Sequence, residues 1–278
     1  MPALAFIVAV VVAIALAAPL LRTLAENGLV HENYRKAILP FPGGVVIVVA
    51  ALVTLVPLSL LDELADNDFL SPQLTHIAVY VLGMAFLGFL DDMLGGEPRG
   101  WRGHGAAVAG GGISTGALKA IGALGLACFA LSNQGLTTTQ YICGVALLIL
   151  TTNLFNLLDL RPGRTGKAFV IVGAGLTVGS LDLAPLWVLG IFAGPILVVA
   201  VGDLRERTML GDTGSNLIGA LVGFWLVLTL SPTGQLIALA VVLIITVYGE
   251  FRSISALIER TPLLRQLDSL GRPNHPNA

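Results

Sequence analysis

Long apolar runs recur along this chain, and they constrain its fold more than any other feature. The runs are roughly 18–22 residues long, which matches a helix crossing the hydrocarbon core of a bilayer. The chain has 278 residues, of which 55% are hydrophobic and 12% charged. Because lipid-exposed backbone must satisfy its hydrogen bonds internally, each run should be helical. The sequence predicts an all-α, polytopic membrane bundle with a single domain over residues 1–278.

About nine transmembrane helices are predicted. The candidate spans lie near 3–21, 43–61, 73–90, 114–131, 138–156, 168–181, 184–201, 214–230 and 235–251. The sixth span is short and closely followed by the seventh, so the count around 168–201 stays open. No basic residue precedes the first run, which favours a retained helix over a cleaved signal peptide.

The basic residues predict how the chain is oriented. With the N-terminus outside, the inner loops are 22–42, 91–113, 157–167, 202–213 and 252–278. Of the 15 Lys and Arg residues, all but Lys119 fall in these loops, and the outer loops have none. Cytoplasmic loops typically carry this excess, so the C-terminus is expected in the cytosol. The net charge of -2 gives no reason to expect nucleic-acid binding.

Two inner segments are expected to be peripheral. Residues 252–270 mix apolar and charged side chains, which predicts an amphipathic helix lying on the cytoplasmic surface. The loop containing Asp203 and Glu206 is expected to be solvated, with ion pairs formed within the loop.

Acidic residues stand at the inner ends of three separate apolar helices. Asp91 and Asp92 lie in FLGFLDDMLGG, Asp159 in NLFNLLDL and Asp212 in MLGDTGSNLIG. Each one alone is explained by a helix ending in the headgroup region. Their recurrence at one depth and on one side favours a shared site. Carboxylate oxygens suit a hard cation, Mg²⁺ or Mn²⁺.

Two amides accompany the acidic end of the fifth run. Asn153, Asn156 and Asp159 recur at every third residue, which places them within about 120° of arc on a helix. Hydrogen bonding between helices explains such amides equally well for Asn153, and less well for the carboxylate.

Basic residues near these helix ends suit a polyanion such as a diphosphate. For most of them the cytoplasmic location is a sufficient explanation. Lys119 is the exception, because a Lys within an apolar helix needs a partner or a ligand. The others are Arg99, Arg102, Arg161, Arg164 and Lys167.

The motifs FLDDMLG, NLFNLLD and MLGDTGSNLIG, in this order, resemble the polyprenyl-phosphate N-acetylhexosamine-1-phosphate transferases. NYRKAILPFPGG also looks like the first cytoplasmic loop of that family, and the resemblance covers most of the chain. It implies transfer of a sugar-1-phosphate from a UDP-sugar to undecaprenyl or another polyprenyl phosphate, with release of UMP. The reaction is expected at the cytoplasmic face of the bacterial inner membrane, as the first membrane step of a cell-envelope glycan pathway.

The resemblance also assigns catalytic roles. Asp212 looks like the principal ligand of Mg²⁺ or Mn²⁺, with Asp92 as a further ligand. Asp91 and Asp92 match the acidic pair of the family, one of which is expected to deprotonate or orient the lipid phosphate. Asp159 matches a residue beside the metal-bound nucleotide, and Lys119 is the candidate partner of a phosphate.

Substrate-binding roles follow from the same resemblance. Asn153 and Asn156 match the nucleotide-contacting motif, and Arg161, Arg164 and Lys167 are expected to contact the substrate. The chain lacks the His-rich motif of the late cytoplasmic loop, so Arg161 and Arg164 are hypothesised either to recognise an altered sugar or to compensate for the lost histidines.

The sequence departs from the family and leaves alternatives. Leu160 stands where the family has Gly, and the predicted span count is below the usual ten or eleven. The missing His motif argues against the muramoyl-pentapeptide enzyme and leaves the sugar unspecified. A transporter and a non-catalytic scaffold of the same fold are the rival functions. Relatives are often dimers, but no residue pattern here predicts a homodimer.

Overall fold

A computed structural model describes residues 3–65, 70–94 and 115–273, and these residues are predominantly helical. In chain order the elements are α1 (Ala3–Glu26), β1 (Val30–Glu32), β2 (Ile38–Pro40), α2 (Gly44–Ala65), α3 (Leu74–Leu94), α4 (Thr115–Leu131), α5 (Thr138–Leu158), α6 (Arg164–Ser180), α7 (Ala184–Val188), α8 (Gly190–Leu204), α9 (Gly211–Thr229), α10 (Pro232–Phe251), α11 (Ile254–Arg260) and α12 (Pro262–Ser269). The all-α class is confirmed. The exception is the short antiparallel hairpin β1–β2, in which Val30 pairs with Pro40.

The chain is a multi-pass membrane protein. Within the described ranges, six helices are long and apolar enough to cross a membrane, namely α1, α2, α3, α5, α9 and α10. The helices α4, α6 and α8 have 17, 17 and 15 residues. The predicted seventh span is interrupted, because α7 ends at Val188 and α8 begins at Gly190. The predicted number of nine spans is therefore not confirmed.

Helix α9 forms the centre of the bundle. Its span is 78% buried inside the protein, whereas the span of α10 is 11% buried. A Cβ at Gly219 would lie 2.7 Å from the Cα of Thr152 in α5, and a Cβ at Gly223 would lie 3.1 Å from the Cα of Leu148. Glycines permit such close backbone packing between membrane helices. The packing fixes the first turn of α9 beside the C-terminal ends of α3 and α5.

The hairpin and the charged helix ends lie together at one end of the bundle, which we call the polar end. The Met209 N–H donates to the Pro40 carbonyl (3.2 Å), and the Gly43 N–H donates to the Met209 carbonyl (2.7 Å). These bonds join the hairpin to the segment that leads into α9. The Gly163 N–H donates to Asp203 Oδ2 (2.6 Å), which joins the start of α6 to the end of α8.

The C-terminal segment contains two short helices where the sequence predicts one over 252–270. Helix α11 ends at Arg260, and Pro262 begins α12. The break follows from the missing N–H of proline, which prevents a continuous helix but is tolerated at a first helical position. Leu263, Leu267 and Leu270 are exposed on this segment.

Candidate functional site

Side chains from α3, α4 and α9 meet at the polar end. Lys119 Nζ lies 2.6 Å from Asp212 Oδ2 and 3.5 Å from Asp91 Oδ2. The side chains of Lys119, Asp91 and Asp212 are 19%, 28% and 30% exposed, so small molecules can reach them. Together with Asn156, they form what we call the acid–lysine cluster. Lys119 was predicted to need a partner, and it contacts two carboxylates.

Asn156 is the member of the predicted polar stripe that reaches the cluster. Its Nδ2 donates to Asp212 Oδ2 (3.0 Å) and to Asn216 Oδ1 (3.2 Å). Asn153 is half-buried and makes no side-chain hydrogen bond to another described residue. Asp159 follows the last residue of α5 and bonds elsewhere. Of the three polar residues spaced three apart, Asn153, Asn156 and Asp159, only Asn156 therefore contacts Asp212 among the described residues.

Asp92 holds the N-terminus of α9. Its carboxylate accepts hydrogen bonds from the backbone N–H of Asp212 (2.8 Å), the backbone N–H of Thr213 (2.8 Å) and the Thr213 hydroxyl (2.6 Å). The first N–H groups of a helix lack intrahelical partners, and a carboxylate there also interacts favourably with the helix dipole. Asp92 therefore positions Asp212 through the backbone that carries it.

Asp159 and Asp203 line a second polar feature, a cleft of about 50 Å³ beside the cluster. Asp159 Oδ1 accepts a hydrogen bond from the Thr165 hydroxyl (3.2 Å). Burial, followed by the negative charge of Asp203, raises the pKa of Asp159 well above its ordinary value. Leu210 also lines the cleft, two residues before Asp212, so the cleft adjoins the first turn of α9.

A left-handed glycine shapes one side of this cleft. Gly163 has φ of +74°, and a Cβ there would collide with the side chain of Leu204. Its N–H is thereby aimed at Asp203, which is 3% exposed. The buried carboxylate thus fixes the loop that follows Asp159.

Arg164 and Lys167 bond to the C-terminal segment. Arg164 is 5% exposed, and its Nε and Nη2 each lie 3.0 Å from one oxygen of Asp268. Lys167 Nζ donates to the backbone carbonyls of Leu267 (3.1 Å) and Asp268 (2.5 Å). Arg272 also donates to Asp268, at 2.8 Å. In this conformation the predicted substrate-binding pair anchors α12 to the start of α6.

Arg161 lies over an aromatic ring that the sequence analysis did not select. Its guanidinium carbon is 4.4 Å from the centroid of Tyr34, in the turn between β1 and β2. Arg161 also pairs with Glu259 at 3.5 Å. An Arg stacked on an aromatic face gains from cation–π attraction. Nothing in the local sequence links positions 34 and 161, so only the fold brings them together.

The structure differs from the expected solvated loop around Asp203. Asp203 is buried, and Glu206 accepts a hydrogen bond from Asn33 (3.2 Å) and pairs with Arg35 (3.6 Å) on the hairpin. The partners are distant in sequence, whereas ion pairs within the loop were expected. Arg99 and Arg102 lie outside the described residues.

The donors present are compatible with a divalent cation of the Mg²⁺ type. Among the described residues, no group of three or more His, Cys, Asp and Glu is arranged to hold a metal. Mg²⁺, however, is often held by one or two carboxylates, with water and phosphate oxygens completing its shell. Asp91 and Asp212 both contact Lys119 Nζ, so these two carboxylates lie close enough together to contact one cation.

No family model matches the chain, and no curated protein matches it. The resemblance carried by the sequence motifs stays an expectation. The functional conclusion rests on the geometry of the polar end.

Proposed function

We propose that this protein transfers a sugar-1-phosphate from a UDP-sugar to polyprenyl phosphate and releases UMP. The observation that carries the proposal is the meeting of Asp91, Lys119 and Asp212, from three separate helices, at one end of the bundle. A lipid phosphate lies at headgroup depth, and a nucleotide sugar arrives from water. A site at the ends of membrane helices is accessible to both. N-acetylhexosamine is the sugar class that the motifs favour.

The chemistry requires alignment and charge neutralisation more than driving force. An oxygen of the lipid phosphate attacks the phosphorus bonded to the sugar, the bond between the two phosphates breaks, and UMP leaves. One diphosphate linkage replaces another. Lys119 is placed to neutralise charge on phosphoryl oxygens, which is the main catalytic requirement of phosphoryl transfer.

The two neighbouring carboxylates of α3 receive different roles. Asp92 is engaged by the amides of α9, so we assign it to positioning. Asp91 contacts the ammonium group of Lys119, and we assign it to orienting or deprotonating the lipid phosphate. Asn156 keeps Asp212 in place by donating to the same oxygen that Lys119 contacts.

Asp212 would hold Mg²⁺ or Mn²⁺, with Asp91 nearby and with Asp92 in support through the backbone. When bound, the cation withdraws negative charge from the diphosphate oxygens. Lys119 then serves as the permanent positive charge of the site.

The topology proposed has the polar end in the bacterial cytosol and the N-terminus outside. Support comes from the basic side chains gathered at that end, as the positive-inside rule requires. A transporter is disfavoured because carriers place ionisable groups near the bilayer midplane. Here the acid–lysine cluster lies at the ends of α3 and α9.

The test is UMP release by purified protein with undecaprenyl phosphate, Mg²⁺ and a panel of UDP-sugars. We expect activity with one or two sugars, loss in EDTA, and loss in Asp212→Asn. Asp182→Asn is the matched control, because Asp182 lies in an exposed turn between α6 and α7. Full activity of Asp212→Asn, or no UMP with any sugar in the panel, contradicts the proposal.

A further inference from the structure

We propose that Tyr34 and Arg161 form the platform on which the nucleobase of the donor stacks. The inference rests on the proposed function and adds the residues that recognise the base. It depends on an exposed aromatic ring covered by a planar cation, and on a polar cleft that this ring lines and that adjoins the first turn of α9.

Tyr34 offers an accessible aromatic face. The residue is 42% exposed, and the guanidinium carbons of Arg161 and Arg35 lie 4.4 and 5.1 Å from its ring centroid. Aromatic rings and Arg guanidinium groups are the surfaces on which proteins stack bases, since every base has a π-face. The planar Arg161 group occupies the kind of position that a base would take.

The ring is held by a rigid support. Its hydroxyl accepts a hydrogen bond from Arg35 Nε (2.6 Å) and lies 3.4 Å from Glu206 Oε1. Asn33, which is 6% exposed, donates to the other oxygen of Glu206 (3.2 Å) and accepts from the backbone of Arg35 and Ala37. A surface held in place before the ligand arrives loses little side-chain entropy on binding.

Arg161, in contrast, is held weakly. Its ion pair with Glu259 is 3.5 Å long, and the Glu259 side chain is 61% exposed. Exposed pairs of this kind contribute only about 0–1 kcal/mol. The cleft, with a volume of about 50 Å³, is large enough for water but too small for a base. Arg161 must therefore swing off the ring face when a nucleotide enters, and it then covers the exposed side of the base.

The cleft extends from the platform to the segment that leads into α9. Tyr34, Asp159, Asp203 and Leu210 line it, and Leu210 is followed directly by the first turn of α9, which carries Asp212. A carboxyl group keeps an oxygen that accepts hydrogen bonds whether or not it is protonated. Asp159 and Asp203 are therefore suited to the ring or exocyclic N–H groups of a base. A nucleotide with its base on Tyr34 would direct its phosphates toward Lys119.

Calorimetric titration of the detergent-purified full chain with UDP and with inorganic pyrophosphate, both with Mg²⁺, tests the platform. Tyr34→Leu is expected to weaken UDP binding by about tenfold, the loss typical of one stacked base. Pyrophosphate binding should not change, because pyrophosphate has no base. Tyr34→Phe, which keeps the ring, should restore most of the UDP affinity. Tyr248→Leu, a partly exposed tyrosine on α10, is the control for general loss of stability.

The outcomes separate the platform from the transferase function. Unchanged UDP binding in Tyr34→Leu, or equal weakening of UDP and pyrophosphate, overturns the platform while UMP release by the native chain still upholds transfer. Failure of the native chain to bind UDP, together with no UMP release, overturns both.

Discussion

The role of Asp92 as the cap of α9 makes a quantitative prediction about two adjacent carboxylates. Asp92→Ala removes the acceptor of two backbone N–H groups and one hydroxyl in the first turn of α9. Each buried donor left without a partner costs about 1–3 kcal/mol. Because water can reach part of this turn, we expect a total near 3 kcal/mol. That corresponds to a fall in melting temperature of about 6–12 °C.

Asp91→Ala should affect stability much less. The ion pair of Asp91 with Lys119 is 3.5 Å long and partly exposed, and such pairs contribute about 0–1 kcal/mol. Its melting temperature should fall by less than about 4 °C, although UMP release should be lost. Intrinsic tryptophan fluorescence during heating in detergent measures both variants. Equal shifts, or a larger shift for Asp91→Ala, would refute the assignment of Asp92 to positioning.

Two further predictions concern the cluster and the C-terminal segment. Lys119→Met should lower the steady-state rate of UMP release by about 100-fold or more, because a preorganised positive charge is lost. Lys119→Arg, which keeps the charge, should retain part of the rate. Equal rates in the two variants would show that catalysis does not use the charge. Asp268→Asn should speed amide hydrogen exchange in Pro262–Ser269, because the carboxylate that holds Arg164 and Arg272 is gone. Burial would raise the pKa of Asp268, but the bonds and charges of Arg164 and Arg272 outweigh it and hold that pKa below its ordinary value. A carboxyl group whose pKa is lowered by folding stabilises the fold at any pH above its unfolded-state pKa, and this contribution is lost as the pH falls through the folded-state pKa. Amide hydrogen exchange in native Pro262–Ser269 should therefore accelerate, relative to other helices, once the pH falls below the ordinary Asp pKa of about 3.9. Protection of this helix that is unchanged at pH 3 would contradict the prediction.

The long apolar helices, and the need of Lys119 for a partner, were predictable from the sequence, whereas its particular partners, Asp91 and Asp212, were not. Apolar length determines where membrane helices lie, and a shared depth follows from charge at one end of each run. A Lys placed among apolar residues requires a partner in any fold. Apolar length and a charged residue within an apolar run are local properties, so they can be identified from the sequence alone.

The capping by Asp92 was not predictable, because Asp212, whose N–H it accepts, lies 120 residues later in the chain. The same holds for Tyr34 and Arg161, which meet only through the hairpin, and for Asp268, which meets Arg164 from the far end of the chain. Sequence spacing describes neighbours on one helix, but it contains no information on which loops touch. The sequence therefore indicated the kind of site and left its supporting contacts undetermined.

The most direct test is mass spectrometry of the lipid fraction after incubation of the protein with undecaprenyl phosphate, Mg²⁺ and the accepted UDP-sugar. The proposal predicts a polyprenyl diphosphate-sugar, heavier than the starting lipid by one sugar phosphate, formed in amounts equal to the UMP released and absent with Asp212→Asn. UMP release without this lipid, or the same lipid formed by Asp212→Asn, would contradict it.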